Sequence, residues 1–145
     1  MPKIHIIFIG DGQNLNKIKK ICQKQNFNNI SFTGELSRDS ALKILSGCNI
    51  SILLSENYNE TFGLVLLEAM LFKKPVITLN HGGMIEVVKN GINGFVVERS
   101  EIANKINYLV DNQNDSVIMG LNGEKILKEE FTNDKMAAKT VDCIL

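Results

Sequence analysis

Five short runs of β-branched and aromatic residues, each followed by a segment with helical spacing, leave this chain few folds to choose from. The runs occupy residues 4–9, 30–33, 50–54, 76–79 and 95–97. The first, Ile4-His5-Ile6-Ile7-Phe8-Ile9, is almost continuously apolar, and such runs read as strands buried on both faces of a parallel sheet. After it, Leu15, Ile18, Ile21 and Cys22 recur at helical spacing among Lys17, Lys19, Lys20 and Lys24. Leu42, Ile44, Leu45 and Cys48 do the same behind Ser37, a residue type suited to an N-cap. A third helix begins around Leu64 and should end near Lys74-Pro75, because proline disfavours helix in the residue before it. A short helix fits residues 84–89, and Ser100 is placed to cap a helix carrying Ile102, Ile106, Leu109 and Val110. Two further helical stretches cover residues 116–131 and 133–144. Strand and helix alternating in this way predict an α/β fold: a Rossmann-like, doubly wound parallel sheet with flanking helices. A single domain over residues 1–145, with C-terminal helices from 116, is the simplest organisation at this length.

Within that frame the stretch from Ser55 to Pro75 carries the chemistry. Glu60 and Glu68 stand on either side of the turn Thr61-Phe62-Gly63, and an apolar segment of helix formers follows at once. A helix N-terminus offers unpaired backbone N–H groups and a positive dipole end, which together suit an anion. An acid just before that terminus and another about one turn inside it can hold hydroxyls while the amides hold phosphate. Glu68 lies among Leu67, Ala69 and Met70, which offer it no partner, so a backbone amide or a ligand hydroxyl must satisfy it. The plainer reading is that acids near helix starts complement the dipole.

Other motifs weigh less. Gly10-Asp11-Gly12 follows a strand and precedes a helix, but Leu15 stands where a dinucleotide loop has its third glycine. No acid stands at the end of the second strand to hold a ribose, since Phe32-Thr33-Gly34 is there. A tight strand-to-helix turn explains these glycines better than NAD or FAD does. His81, in His-Gly-Gly, has no acid, Ser or Cys beside it to form a catalytic pair, and His5 falls inside the first strand. Glu86 is placed to complement the dipole of the short helix after Gly83.

Charge and cysteine usage narrow the field further. Lys+Arg and Asp+Glu both number 16, so no basic excess points to nucleic acid. Cys22, Cys48 and Cys143 form no C-x-x-C pair and meet no His at zinc spacing; they read as reduced thiols in apolar positions, and no metal is expected. No apolar run approaches the length of a membrane span. The expected location is the cytoplasm, with the inner face of the membrane as a further possibility.

Taken together, several blocks resemble a known family in order and spacing. They are Phe8-Ile9-Gly10-Asp11-Gly12, Ile30-Ser31-Phe32-Thr33-Gly34, Glu60-Thr61-Phe62-Gly63, Leu67-Glu68-Ala69-Met70, Lys74-Pro75-Val76-Ile77, Gly82-Gly83-x-x-Glu86-Val87-Val88 and Asn90-Gly91-x-Asn93-Gly94-Phe95-Val96-Val97. The family is the retaining GT-B glycosyltransferases called group 1 or family 4, and the resemblance is to their C-terminal, donor-binding domain. It runs from about Ile4 to the end, with the spacing of Glu60 and Glu68 as its most specific part.

The resemblance implies a nucleotide-diphosphate sugar, UDP- or GDP-linked, as donor, with no cofactor. It implies retaining transfer to a saccharide or lipid acceptor in surface polysaccharide or glycolipid synthesis. Glu60 is then the catalytic residue, approaching the donor sugar hydroxyls. Phe62, Gly63 and Leu64 present amides to the sugar and diphosphate, and Glu68 binds the ribose. Gly34, Glu35 and Leu36 lie by the base, and Gly10 and Gly12 shape the cleft floor. The chain departs from the family pattern in lacking the opening β-α unit, whose Arg and Lys clamp the diphosphate, and the N-terminal acceptor domain. The expectation is a piece of a longer transferase, inactive alone, with an exposed sheet edge through which a homodimer could form. A non-catalytic binding or regulatory module of the same fold is the alternative.

Overall fold

The computed structural model describes residues 4–55 and 63–132. The chain divides into two compact units, Met1–Ile44 and Leu45–Leu145.

The first unit holds β1 (Ile6–Phe8), α1 (Leu15–Lys24), β2 (Ile30–Phe32) and the start of α2 (Arg38–Gly47). β1 and β2 pair in parallel, Ile7 opposite Ser31. The Phe8 and Phe32 rings stack with centroids 5.1 Å apart. α1 turns Cys22 inward and keeps Lys17, Lys20 and Lys24 outside. Ser37 serves α2 as expected of an N-cap, its carbonyl accepting from the Ala41 N–H at 3.0 Å and its hydroxyl from the Ser40 N–H at 3.4 Å.

One expectation fails here. β1 is not buried on both faces: Ile6, Ile7, Phe8 and Ile9 are 36–42% exposed. An apolar run dictates extended backbone, but burial depends on what covers it, and among the described residues β1 pairs with β2 alone.

The second unit holds β3 (Ser51–Leu53), α3 (Leu64–Leu71), β4 (Val76–Leu79), α4 (Met84–Val87) and β5 (Gly94–Val97). A 3-10 turn (Arg99–Glu101), α5 (Ile102–Asp111) and α6 (Gln113–Glu130) follow. The sheet runs β3-β4-β5, all parallel, with Ile77 opposite both Ile52 and Phe95. Its central strand β4 is buried at every position, as a parallel strand with neighbours on both edges and helices over its faces should be. Ile77, Phe95 and Val97 from the sheet meet Leu109 of α5 and Met119 of α6 in the core, with Ile50, Ile102 and Ile106 packed against them. Burying each such side chain is worth roughly 1.5–3 kcal/mol.

Several helix boundaries differ from the sequence reading: α4 ends at Val87 ahead of residue 89, and α6 runs Gln113–Glu130 where 116–131 is expected. α3 stops at Leu71, ahead of Lys74-Pro75, because Lys73 takes the left-handed conformation at φ 56°. The N–H of Lys74 then reaches back to the Ala69 carbonyl at 2.9 Å and closes the helix end. Ser100 is not an N-cap. The entry to α5 is a capping box in which Glu98 caps and Glu101 returns the bond to the Glu98 N–H.

α6 crosses α3 at close range. A Cβ on Gly120 would lie 2.0 Å from the Lys73 carbonyl oxygen, and one on Gly123 3.1 Å from Met70 Cγ. The turn before β5 is held by Asn93, which is fully buried. Its Oδ1 accepts from the Lys89 N–H at 2.7 Å, and its Nδ2 donates to the Val87 carbonyl at 3.1 Å. Cys22 and Cys48 are free thiols, buried and half-buried. Cys143 and the helix expected over residues 133–144 lie outside the described residues.

Candidate functional site

In open α/β sheets ligands gather at the carboxyl ends of the strands. Each unit presents such an edge.

In the first unit, Gly10 follows β1 at φ 116° and Gly34 follows β2 at φ 69°. The Gly10 N–H donates to the Gly34 carbonyl at 2.9 Å, tying the two turns together. The Thr33 hydroxyl braces the same place, donating to the carbonyls of Phe8 at 3.3 Å and Gly34 at 2.9 Å. Candidates 24 residues apart in sequence thus share one edge, with Glu35 exposed and Leu36 half-buried beside them. A Cβ built on Gly10, Gly12 or Gly34 meets nothing within 4 Å, so the backbone there is open to close approach. The Gly12 N–H is already taken by the Asp11 carboxylate at 2.6 Å. That carboxylate would repel a phosphate, which is a physical reason for the turn not to act as a dinucleotide loop.

In the second unit, Gly63 caps α3 at φ 61°, ψ 56°. A side chain at this position would be strained by the dihedral and crowded as well, its Cβ 3.1 Å from Leu66 Cδ1 and 3.3 Å from Leu53 Cδ2. The Leu66 N–H turns back to the Gly63 carbonyl at 2.7 Å. Glycine brings no capping side chain, and among the described residues nothing accepts from the Leu64 or Val65 N–H. Those two amides are the groups that a helix N-terminus offers an anion. Leu64 is 68% exposed, so the approach is open. Glu68 sits on α3 about one turn further in, half-buried. Of the expected site residues, Gly63, Leu64 and Glu68 are therefore brought together, while Glu60 and Phe62 lie outside the described residues.

The same unit has a feature with no mark in the sequence. An open cleft of about 480 Å³ lies past the carboxyl ends of β4 and β5, lined by Asn80, Ile85, Lys89, Asn90, Glu98 and Glu101 among others. Its lining comes from several elements, each contributing one or two residues, so no local spacing announces it. His81, half-buried, adjoins this edge, its N–H bonded to the Leu79 carbonyl at 2.8 Å.

Among the described residues the shifted ionisations fall elsewhere, on α5 and α6. A hydrogen bond to the Asp115 carboxylate pushes the Tyr108 phenol up. The Lys128 ammonium, 2.8 Å from Glu124, holds that carboxyl below its ordinary range. Both pairs are surface links in the helical layer. Among the described residues no group of three or more His, Cys, Asp or Glu could hold a metal ion, and no helix is long and apolar enough to cross a membrane.

Comparison with known proteins bears on the same residues. The family model for group 1 glycosyl transferases matches residues 1–126. A glycosyltransferase of Methanocaldococcus jannaschii is 33% identical over 124 residues, 83% of this chain and 35% of that protein. A capsular polysaccharide biosynthesis glycosyltransferase of Staphylococcus aureus is 35% identical over 88 residues, 59% of this chain and 23% of that protein. Among solved structures, HepE of Anabaena in complex with UDP-glucose superposes with a TM-score of 0.75 at 25% identity, over 98% of this chain and 42% of that one. The chain thus spans about a third of the curated relatives that it matches over most of its length.

Proposed function

The chain belongs to the group 1 glycosyl transferases, and from that premise we propose that it binds the nucleotide-diphosphate sugar from which such an enzyme transfers a glycosyl group. The observation that carries this reading is the start of α3: a glycine cap at φ 61°, two amides with no acceptor among the described residues, and a half-buried carboxylate one turn inside. Amides and dipole offset the charge of the diphosphate, most strongly as it leaves. Phe62, Gly63 and Leu64 supply those amides, and Glu68 accepts from the ribose hydroxyls. Glu60 faces the donor sugar and is the residue assigned to catalysis. Within the first unit taken by itself, Gly34, Glu35 and Leu36 are assigned to a base through backbone, and Gly10 and Gly12 to an open approach at that unit's own strand edge.

The reaction is glycosyl transfer with retention at the anomeric carbon. The bond from that carbon to the diphosphate breaks, the sugar passes through an oxocarbenium-like state, and an acceptor hydroxyl forms the new bond and gives up its proton. Positioning and charge stabilisation supply most of the rate. Residues 1–145 act as one donor-binding domain. A saccharide or lipid acceptor is held by a domain outside these residues. The capsular relative favours surface polysaccharide as the product class, made in the cytoplasm or at the inner membrane face. UDP- and GDP-sugars are the expected donors, and the UDP-glucose complex of HepE favours the former.

The test is amide NMR on the isolated chain with UDP, UDP-glucose, GDP-mannose and ADP-glucose. Uridine or guanosine diphosphates should shift the Gly63, Leu64 and Val65 amides at millimolar concentration. At ten times Kd, thermal unfolding should show about 1.4 kcal/mol of added stability. Glu68→Ala should weaken binding roughly 10- to 100-fold, the worth of hydrogen bonds to a charged acceptor. Silence of these amides toward every nucleotide would overturn the reading.

A further inference from the structure

We propose that the outward face of α1, with the turn that closes it, is a docking surface for an anionic lipid bilayer. The inference goes beyond donor binding and does not rest on it. Charge is divided unevenly along the chain. Residues 1–44, the first unit, hold seven of the 16 Lys and Arg residues and three of the 16 Asp and Glu residues. A neutral chain thus carries one basic unit, an asymmetry that suits an anionic surface. The three acids are Asp11, Glu35 and Asp39, so residues 12–34 hold four lysines and no acid.

α1 concentrates that charge. At 3.6 residues per turn, Lys17, Lys20 and Lys24 share one side of the helix, opposite Leu15, Ile18 and Cys22, which are half-buried or buried. All three lysines are exposed, and among the described residues none of them is in an ion pair. Lys19 faces elsewhere, its ammonium over the Phe32 ring at 5.8 Å from the centroid. The plain alternative is a solvated face. A helix surface made for solubility mixes signs, as α6 does where Lys128 bonds Glu124 one turn away at 2.8 Å. α1 instead sets like charges three, four and seven residues apart, where they repel. Lys17 also stands in the first turn, where the helix dipole disfavours a cation. An anionic surface relieves both penalties.

Two apolar residues select the kind of anion. Ile21 lies on α1 beside Lys17 and Lys24 and is 49% exposed. Beyond the helix, Asn26 takes the left-handed conformation at φ 55°, and the Phe27 N–H donates back to the Cys22 carbonyl at 3.0 Å. That closure holds Phe27, 51% exposed, at the same end of α1. Apolar side chains among lysines suit the headgroup boundary of a bilayer, where they leave water while the ammonium groups meet phosphate. Nucleic acid would use the charge and gain little from an aliphatic side chain such as Ile21.

The experiment is co-sedimentation of the full chain, without nucleotide, with vesicles of phosphatidylcholine alone or with about 30 mol% phosphatidylglycerol. At about 50 mM salt, partition should favour the anionic vesicles by about 100-fold, at about fivefold for each of three lysines. The preference should vanish at about 0.5 M salt, where screening shortens to a few ångströms. Lys17→Gln/Lys20→Gln/Lys24→Gln should lose it, whereas Lys73→Gln/Lys125→Gln/Lys128→Gln, which removes equal charge elsewhere, should keep it. Ile21→Ser should weaken partition about three- to tenfold. Equal partition of the parent to both vesicles overturns the proposal, and that comparison decides even where a variant fails to fold. A preference that survives loss of Lys17, Lys20 and Lys24 also overturns it. If single-stranded RNA binds the chain more tightly than anionic vesicles do, with Ile21→Ser without effect on either, the stripe belongs to nucleic acid and the proposal fails.

Discussion

Replacing Gly120 with alanine sets two known effects against each other. In the middle of an exposed helix the change gains about 1 kcal/mol from helix propensity and chain entropy. At Gly120 the new Cβ would stand 2.0 Å from the Lys73 carbonyl oxygen and 2.7 Å from the Lys73 carbonyl carbon. Carbon and oxygen without a hydrogen bond settle no closer than about 3.3 Å, so α6 must retreat by more than an ångström. The obstacle is backbone, and it is pinned. Lys73 holds the left-handed turn whose neighbour Lys74 bonds the Ala69 carbonyl, and Pro75 follows directly. Retreat of α6 would also loosen Met119 from the core it shares with Ile77 and Leu109. Overpacking of this kind costs about 1–3 kcal/mol and reaches higher against rigid neighbours. After the propensity gain, the expected net loss is about 2 kcal/mol, read as a lower urea midpoint at unchanged slope. Gly123→Ala is the control, since its nearest contact is Met70 Cγ at 3.1 Å, on a side chain that can move. It should change stability by less than about 1 kcal/mol in either direction. A Gly120→Ala protein as stable as Gly123→Ala, or more stable than the parent, would refute the close crossing of α6 over the α3–β4 turn.

Asn93→Ala should cost about 2–4 kcal/mol by chemical denaturation, because it leaves the Lys89 N–H and the Val87 carbonyl without their partner in a fully buried place. Asn93→Asp should recover little, since it keeps the acceptor for Lys89 but offers the Val87 carbonyl no donor. Glu124 predicts a pH effect. Its folded pKa is lowered, chiefly by the Lys128 hydrogen bond and further by Lys73. Its contribution is therefore present above the ordinary carboxylate pKa and is lost as pH falls through the lowered folded value. Thermal unfolding scanned downward through the carboxylate range should show the parent losing more stability than Glu124→Gln, and parallel curves would remove Glu124 from the account.

Much of the fold was legible because parallel strands advertise themselves. Residues 76–79 carry only Val, Ile, Thr and Leu, and β4 occupies them and is buried throughout. Ile102, Ile106 and Leu109 keep helical spacing, and α5 turns them toward the core. What escaped depended on contacts distant in sequence. Nothing about Lys73 suggests a left-handed residue; the need to close α3 and enter β4 imposes it. Ser100 looks like a cap, but Glu98 and Glu101 form the box with two side chains of a less usual type. β1 reads as buried because its composition matches that of β4, and composition does not record how many neighbours a strand has. In the site, the Gly63 turn was readable from the residues around it, whereas the pairing of Gly10 with Gly34 was not, since it joins the ends of two strands.

The glycines separate the two kinds of constraint in this chain. Gly10, Gly34 and Gly63 sit at the carboxyl ends of strands with positive φ. Gly10 and Gly34 have open space over them, so a side chain there would intrude on whatever approaches the backbone. Gly94, Gly120 and Gly123 sit inside a strand or helix, where each lost Cβ lets another part of the chain come close; at Gly94 the Val76 carbonyl oxygen lies 2.0 Å from the Cβ position. Substitution in the first group should damage ligand approach ahead of stability, and in the second stability ahead of ligand approach. Gly63 belongs to both, because its Cβ would strain the cap and also press on Leu66 and Leu53. Its dihedral aims the Leu64 and Val65 amides outward, and its missing side chain lets α3 settle against β3. The element that opens the start of α3 to the proposed diphosphate is therefore also part of what holds α3 in place, and a chain that kept one property would find it hard to lose the other.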